Sequence, residues 1–140
     1  MAQTIDPSTA KVGDELPPFR RTTGLPNWVR YAAVNDELGL IHIDDEVGRR
    51  AGYPAAIGMG NLQWSYLHSL LRNWLGDAGT IRTIRCQFRA PNTKGMTVTA
   101  RATVTRVEET HAGREIELEV WTEDDNGNRL APGAATVMLR

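Results

Sequence analysis

A long apolar helix followed at once by strands is the feature that most narrows what this chain can become. From Gly60 to Leu75, the residues Leu62, Tyr66, Leu67, Leu70, Leu71, Trp74 and Leu75 recur at three- and four-residue spacing, and Gly76 stops the run. After Gly79 the hydrophobic period changes from that of a helix to that of a strand. Ile84, Cys86 and Phe88 alternate with Arg85, Gln87 and Arg89. Val98, Ala100, Ala102 and Val104 alternate with Thr97, Thr99, Arg101 and Thr103, and Ile116, Leu118 and Val120 alternate with Glu115, Glu117 and Glu119. Such alternation marks antiparallel strands buried on one face, and turn formers at Pro91–Gly95, His111–Gly113 and Asp124–Gly127 join them. A final strand is expected over Ala134–Leu139.

The first half is punctuated differently. Residues 1–12 read as a loosely ordered lead-in, and 13–140 as a single domain. Phe19–Thr23 reads as a strand and Leu25–Val34 as a helix, with Pro26 suited to its first turn. Asp44–Ala51 reads as a short helix, acidic at its start and basic at its end, as the helix dipole prefers. The fold class is therefore α+β. The economical packing is an antiparallel sheet wrapped around the long helix, whose apolar residues are expected all round it.

Composition excludes several function classes. A formal net charge of −1 gives no ground for a nucleic-acid protein or a polybasic membrane binder. The lone Cys86 precludes an intrachain disulfide and fits a reducing cytoplasm. Met1–Pro7 lacks the basic start and apolar run of a secretory signal, so a cytoplasmic location is expected. The three histidines, His42, His68 and His111, do not make metal-ligand spacing with one another, and neither a metal nor a cofactor is expected.

The stretch Tyr31–Leu62, YAAVNDELGLIHIDDEVGRRAGYPAAIGMGNL, carries the specific signal. It resembles the signature of the MaoC-like, (R)-specific enoyl-CoA hydratases, a hotdog-fold family. His42 occupies the position of the family's catalytic histidine, Ile41 the aliphatic position before it and Asp44 the acidic one after it. Gly60 stands eighteen residues after His42, where the family's helix opens on glycine. Gln87-Phe88-Arg89-Ala90-Pro91 and Gly95-Met96-Thr97-Val98 resemble the family's strand, proline turn and glycine-led strand, so the likeness spans roughly residues 13–139.

The resemblance implies a hydratase or dehydratase acting on enoyl or 3-hydroxyacyl thioesters, most simply acyl-CoA. One water would be held between a carboxylate and an imidazole, with a backbone N–H at a helix start stabilising the thioester oxygen. His42 takes the imidazole role and Gly60 the oxyanion role. The carboxylate is open. Spacing to His42 favours Glu37, while the shorter reach of aspartate favours Asp36; the balance leans to Asp36, with Glu37 turned to solvent. Gly39-Leu40 replaces the family's Asn-Pro pair, which makes the intervening loop more pliable. Asp44 reads as a helix cap.

Arg85, Arg89 and Lys94 are candidates to meet the phosphates of CoA or of a carrier-protein arm. Partnership as a homodimer, or with a related hotdog chain, follows from the open edges of a small sheet. Two other readings remain: a noncatalytic or half-site subunit of a heteromeric hydratase, and a hotdog thioesterase.

Overall fold

A computed structural model describes residues 4–140. Its strands are β1 (Phe19–Thr22), β2 (Gly79–Cys86), β3 (Thr97–Thr110), β4 (Gly113–Glu123) and β5 (Arg129–Leu139). Its helices are α1 (Leu25–Asn35), α2 (Asp45–Arg50) and α3 (Gly60–Leu75), with short 3-10 turns at Pro7–Thr9 and Leu40–His42. All strand pairs are antiparallel, in the order β1-β3-β4-β5-β2.

The alternating strands curl round α3, which packs against β1, β2, β3 and β4. Val98, Ala100, Ala102 and Val104 of β3, with Ile116, Leu118 and Val120 of β4, are almost wholly buried beneath it. From the helix side, Leu62, Tyr66, Leu67, Leu70, Leu71 and Leu75 fill the same core. Each fully buried large aliphatic contributes about 1.5–3 kcal/mol relative to exposure. The interleaved glutamates of β4 face outward and meet arginines from both neighbouring strands. Arg106 lies 3.0 Å from Glu117, and Arg129 lies 2.6 Å from Glu119.

Helix ends follow their sequence signals. Asp44 caps α2 by accepting from the backbone N–H groups of Glu46 and Val47 at 2.8 and 3.3 Å. Helix α1 opens with the Gly24 N–H donating to Asn27 Oδ1 at 2.9 Å. Helix α3 stops at Gly76, which takes a positive φ of 52°.

Four expectations need correction. β5 begins at Arg129, five residues before the expected start, because Pro132 and Gly133 are accommodated in the strand opposite Trp121 and Val120. Phe88 lies beyond the end of β2 and is half-exposed, so it does not continue that strand's inner row. Helix α3 is not apolar all round: Asn61, Trp64, His68 and Arg72 form an exposed stripe. The lead-in is held well before residue 13. Ala10 is fully buried, and the Trp74 indole N–H donates to the Ile5 carbonyl at 2.9 Å. Residues 1–3 lie outside the described part. Among the described residues no helix is long and apolar enough to cross a membrane.

Candidate active site

The site is assembled where the end of α1, the turn at Leu40–His42 and the start of α3 converge. Helix α1 ends in a tight reversal: the amides of Asp36 and Glu37 both bond back to the Ala32 carbonyl, the latter at 3.1 Å. Asp36 takes the left-handed conformation this reversal demands, with φ of 53°. Asparagine and aspartate tolerate that region better than other residues bearing a side chain.

Having made the turn, Asp36 is exposed, and Glu37 is the carboxylate brought to the histidine. Glu37 Oε1 lies 3.9 Å from His42 Nε2, with the two side chains 31% and 16% exposed. The structure thus corrects the expectation that Glu37 is turned to solvent. A separation of 3.9 Å is too long for a direct N–H···O bond, whose usual range ends near ~3.2 Å. It leaves the two polar atoms facing one another, half shielded.

His42 is oriented from behind. Its Nδ1 lies 2.8 Å from the Ile57 carbonyl oxygen, which can only accept. Nδ1 therefore carries a proton, and in the neutral imidazole Nε2 presents its lone pair on the Glu37 side. The Ile57 amide in turn donates to the Ile41 carbonyl at 3.1 Å, so two bonds tie the histidine turn to the segment leading into α3.

A cleft of about 240 Å³ opens beside this pair, lined by His42, Tyr53, Gly58, Gly60, Gln63 and Phe88, with Ile57 and residues 89–91 completing it. Gly60 is the first residue of α3, and its N–H meets no acceptor among the described residues. A Cβ at Gly60 would stand only 2.8 Å from Phe88 Cδ2, so the aromatic ring lies over the glycine. Gly58 is equally confined on its other face, where a Cβ would run into the buried side chain of Asn92 at 2.2 Å. The Gly58 amide donates to the Asn92 carbonyl at 2.8 Å.

The three candidate cations separate. Arg89 lines the cleft and hydrogen-bonds to Gln87. Lys94 is engaged with Asp45 at 2.5 Å, tying α2 to the loop before β3. Asp45 also accepts from the Ala56 amide at 3.1 Å. The Lys94 ammonium, and next the Ala56 N–H, hold the Asp45 carboxyl below its ordinary value. Arg85 is exposed on β2, in a separate depression with Cys86, Gln87 and residues 132–134. Neither His68 nor His111 is near the pair; both are exposed, His68 beside Trp64 and His111 in the β3–β4 turn.

Sequence reasoning missed three residues of this region. Tyr53 lines the cleft, although it follows a glycine in what reads as a plain turn. Gln63 is buried at 1% exposure on the inner face of α3, where its polarity hid it from an apolar-period count. Asn92 is fully buried in a segment that reads as a solvent-facing proline turn.

Solved structures share the whole architecture. The (R)-hydratase from A. caviae involved in PHA biosynthesis superposes with a TM-score of 0.85 at 22% identity, covering 94% of this chain and 98% of that one. A chain of the ChsH1-ChsH2 complex from Mycobacterium tuberculosis gives 0.83 at 18% identity, covering 94% and 100%. A chain of the HadBC (3R-hydroxyacyl-ACP dehydratase) complex, also from Mycobacterium tuberculosis, gives 0.76 at 16% identity, covering 93% and 98%. These likenesses establish the fold, an α+β hotdog. A search of curated protein sequences finds no match. The sequence profile described as the MaoC like domain matches residues 10–126, which takes in the site from Glu37 to Asn92. On that match, and with this fold, the chain belongs to the MaoC-like domain family.

Proposed function

We propose that this protein is a lyase that adds water to an enoyl thioester, or removes it from a 3-hydroxyacyl thioester, with acyl-CoA as the simplest substrate. The observation that carries this reading is the facing of Glu37 and His42 across 3.9 Å, with His42 lining a cleft that also holds Gly60. A water seated between Glu37 Oε1 and His42 Nε2 is polarised from both sides. In hydration its oxygen bonds to C3, one proton leaves to the pair, and the pair returns a proton to C2, so that net one water is added. Charge accumulating on the thioester oxygen is met by the free N–H of Gly60 at the start of α3, where the helix dipole adds to the bond. Glu37, not Asp36, is the carboxylate of this reading, because Asp36 is used up in ending α1.

Arg89 is the cation best placed to meet a phosphate of the carrier, since it alone of the three candidates lines the cleft. The A. caviae relative is an (R)-hydratase, and two other similar structures are complexes of two different chains. Those complexes favour a working form with a second hotdog chain, identical or related. β1 and β2 are the open edges available for it. The unpaired Cys86 suits a reducing cytoplasm.

The test is direct. Purified protein is assayed for loss of enoyl absorbance on crotonyl-CoA and longer enoyl-CoAs, alone and together with related hotdog chains. Hydration that disappears in His42→Ala supports the lyase reading. Release of free CoA without hydration would replace it with a thioesterase. Activity only with a second chain, and unaffected by His42→Ala in this one, would make this chain the noncatalytic half.

A further inference from the structure

One buried side chain in the lining of the cleft takes no part in the chemistry above. Gln63 sits one turn into α3 from Gly60 and is 1% exposed, although it lines the cleft. Its Nε2 donates to the Ala90 carbonyl at 3.2 Å, and its Oε1 accepts from the Thr122 hydroxyl at 2.6 Å. The amide cannot be turned the other way, because a carbonyl only accepts and the nitrogen must face Ala90. Thr122 is fully buried on β4. Its cross-strand neighbours are Ala100 on β3 and Ala131 on β5, both fully buried. Two small residues flanking Thr122 leave a shallow place on the inner face of the sheet, and the Gln63 amide fills it.

We propose that Gln63 is a plug anchored by Thr122 and Ala90, and that it restricts this site to short acyl groups. The proposal rests on the hydratase reading and deepens it. An acyl chain entering past His42 and Gly60 must run between α3 and the sheet to lengthen, and the bridge from Gln63 to Thr122 crosses that space. A buried amide here costs desolvation that leucine would not, which its two hydrogen bonds offset. Through the bond to Ala90 the same residue holds the opposite cleft wall, so Gln63 also acts as a positioning residue.

The test compares kcat/KM on crotonyl-CoA and on trans-2-octenoyl-CoA. Wild type is expected to prefer crotonyl-CoA by about tenfold or more. Gln63→Ala is expected to raise the octenoyl-to-crotonyl ratio by about tenfold. Thr122→Val keeps the volume but removes the anchor, and lowers kcat on crotonyl-CoA; Thr122→Ser restores it. A wild-type enzyme that turns over octenoyl-CoA as well as crotonyl-CoA overturns the proposal, whatever the variants do. So does a folded Gln63→Ala with an unchanged ratio. If wild type hydrates neither thioester, alone or with a related hotdog chain, the hydratase reading falls and benzene becomes the probe. Benzene should then shift the Thr122 and Ala131 amide signals in Gln63→Ala and not in wild type, as an opened apolar cavity admits such a guest. No shift in either protein would overturn the plug on its own terms.

Discussion

The Nδ1 atom of His42 and the carbonyl oxygen of Ile57 lie 2.8 Å apart, and this one bond decides which imidazole nitrogen is left for chemistry. The backbone carbonyl fixes the tautomer without adding a charge, so Nε2 is left on the Glu37 side for the proposed water. His42→Ala should lower kcat by about 10²–10⁴-fold, the usual contribution of a positioned acid-base group. The side chain is partly exposed, and water can reach the orphaned carbonyl. The melting temperature should therefore fall only slightly. Steady-state hydration kinetics beside thermal denaturation checks both halves.

Glu37→Gln against Asp36→Asn separates the two carboxylates. Both changes keep shape and remove charge. Glu37→Gln should lose about 10²-fold or more in kcat, while Asp36→Asn stays near wild type, because asparagine also tolerates the left-handed cap. A rate loss confined to Asp36→Asn would refute the assignment of Glu37. Asp36→Val should behave differently again, destabilising the fold through backbone strain of about 1–3 kcal/mol at φ of 53°.

At Gly60 a Cβ would stand 2.8 Å from the Phe88 ring. The ring is half-exposed and can swing outward, so Gly60→Ala should fold. It should still lose activity, because the methyl group occupies the cleft beside the N–H proposed to serve the thioester oxygen. Pairing it with Phe88→Ala relieves the clash but not the obstruction. The double variant should regain stability and not rate, which thermal denaturation and kcat measured on the same samples would reveal.

Acid sensitivity is expected to report on the Lys94–Asp45 pair, 2.5 Å apart. The Asp45 carboxyl is held below its ordinary value, first by Lys94 and then by the Ala56 N–H. A depressed carboxyl stabilises the fold above its unfolded pKa, and that stabilisation is lost as pH falls through the depressed folded value. The difference in melting temperature between wild type and Asp45→Asn should be greatest above the ordinary carboxylate range and shrink below it. A difference that does not change across that window would remove the ion pair from the account.

β2 leaves eight residues, Gly79–Cys86, with one edge unpaired in the sheet order. Sedimentation at micromolar concentration should show a dimer of this chain, or a complex once a related chain is added. A stable monomer that hydrates crotonyl-CoA would show that the second chain is dispensable.

What the sequence disclosed follows the strength of local rules. Helix α3 was legible to the residue, because its apolar spacing and Gly76 act over adjacent turns. The cap at Asp44 was legible for the same reason. The choice between Asp36 and Glu37 was not settled by counting to His42. It depends on which residue ends α1 in the left-handed region, and Asn35-Asp36 after a helical run is the signal that bears on it. Phe88 fits a strand alternation but meets Gly60 only through the chain's return from β2, a contact of residues far apart in sequence. Gln63 escaped because polarity on a helix reads as exposure until the facing Thr122, fifty-nine residues away, is known.

The order β1-β3-β4-β5-β2 also has a consequence for how the protein is made. β3, β4 and β5 are joined by two short hairpins, so their ladder is built from local contacts and can form early. The outer strands must be recruited over long stretches of chain, Phe19 to Ala100 at one side and Gly79 to Leu139 at the other. Helix α3 spans the interval between those two closures, carrying Gly60 and Gln63 with it. Chemistry is thus installed by the last steps of folding rather than the first. Pulse-labelled hydrogen exchange should find Leu118 and Val120 protected before Gly58 and Ala90, with a nascent population that has a complete central ladder and no active site.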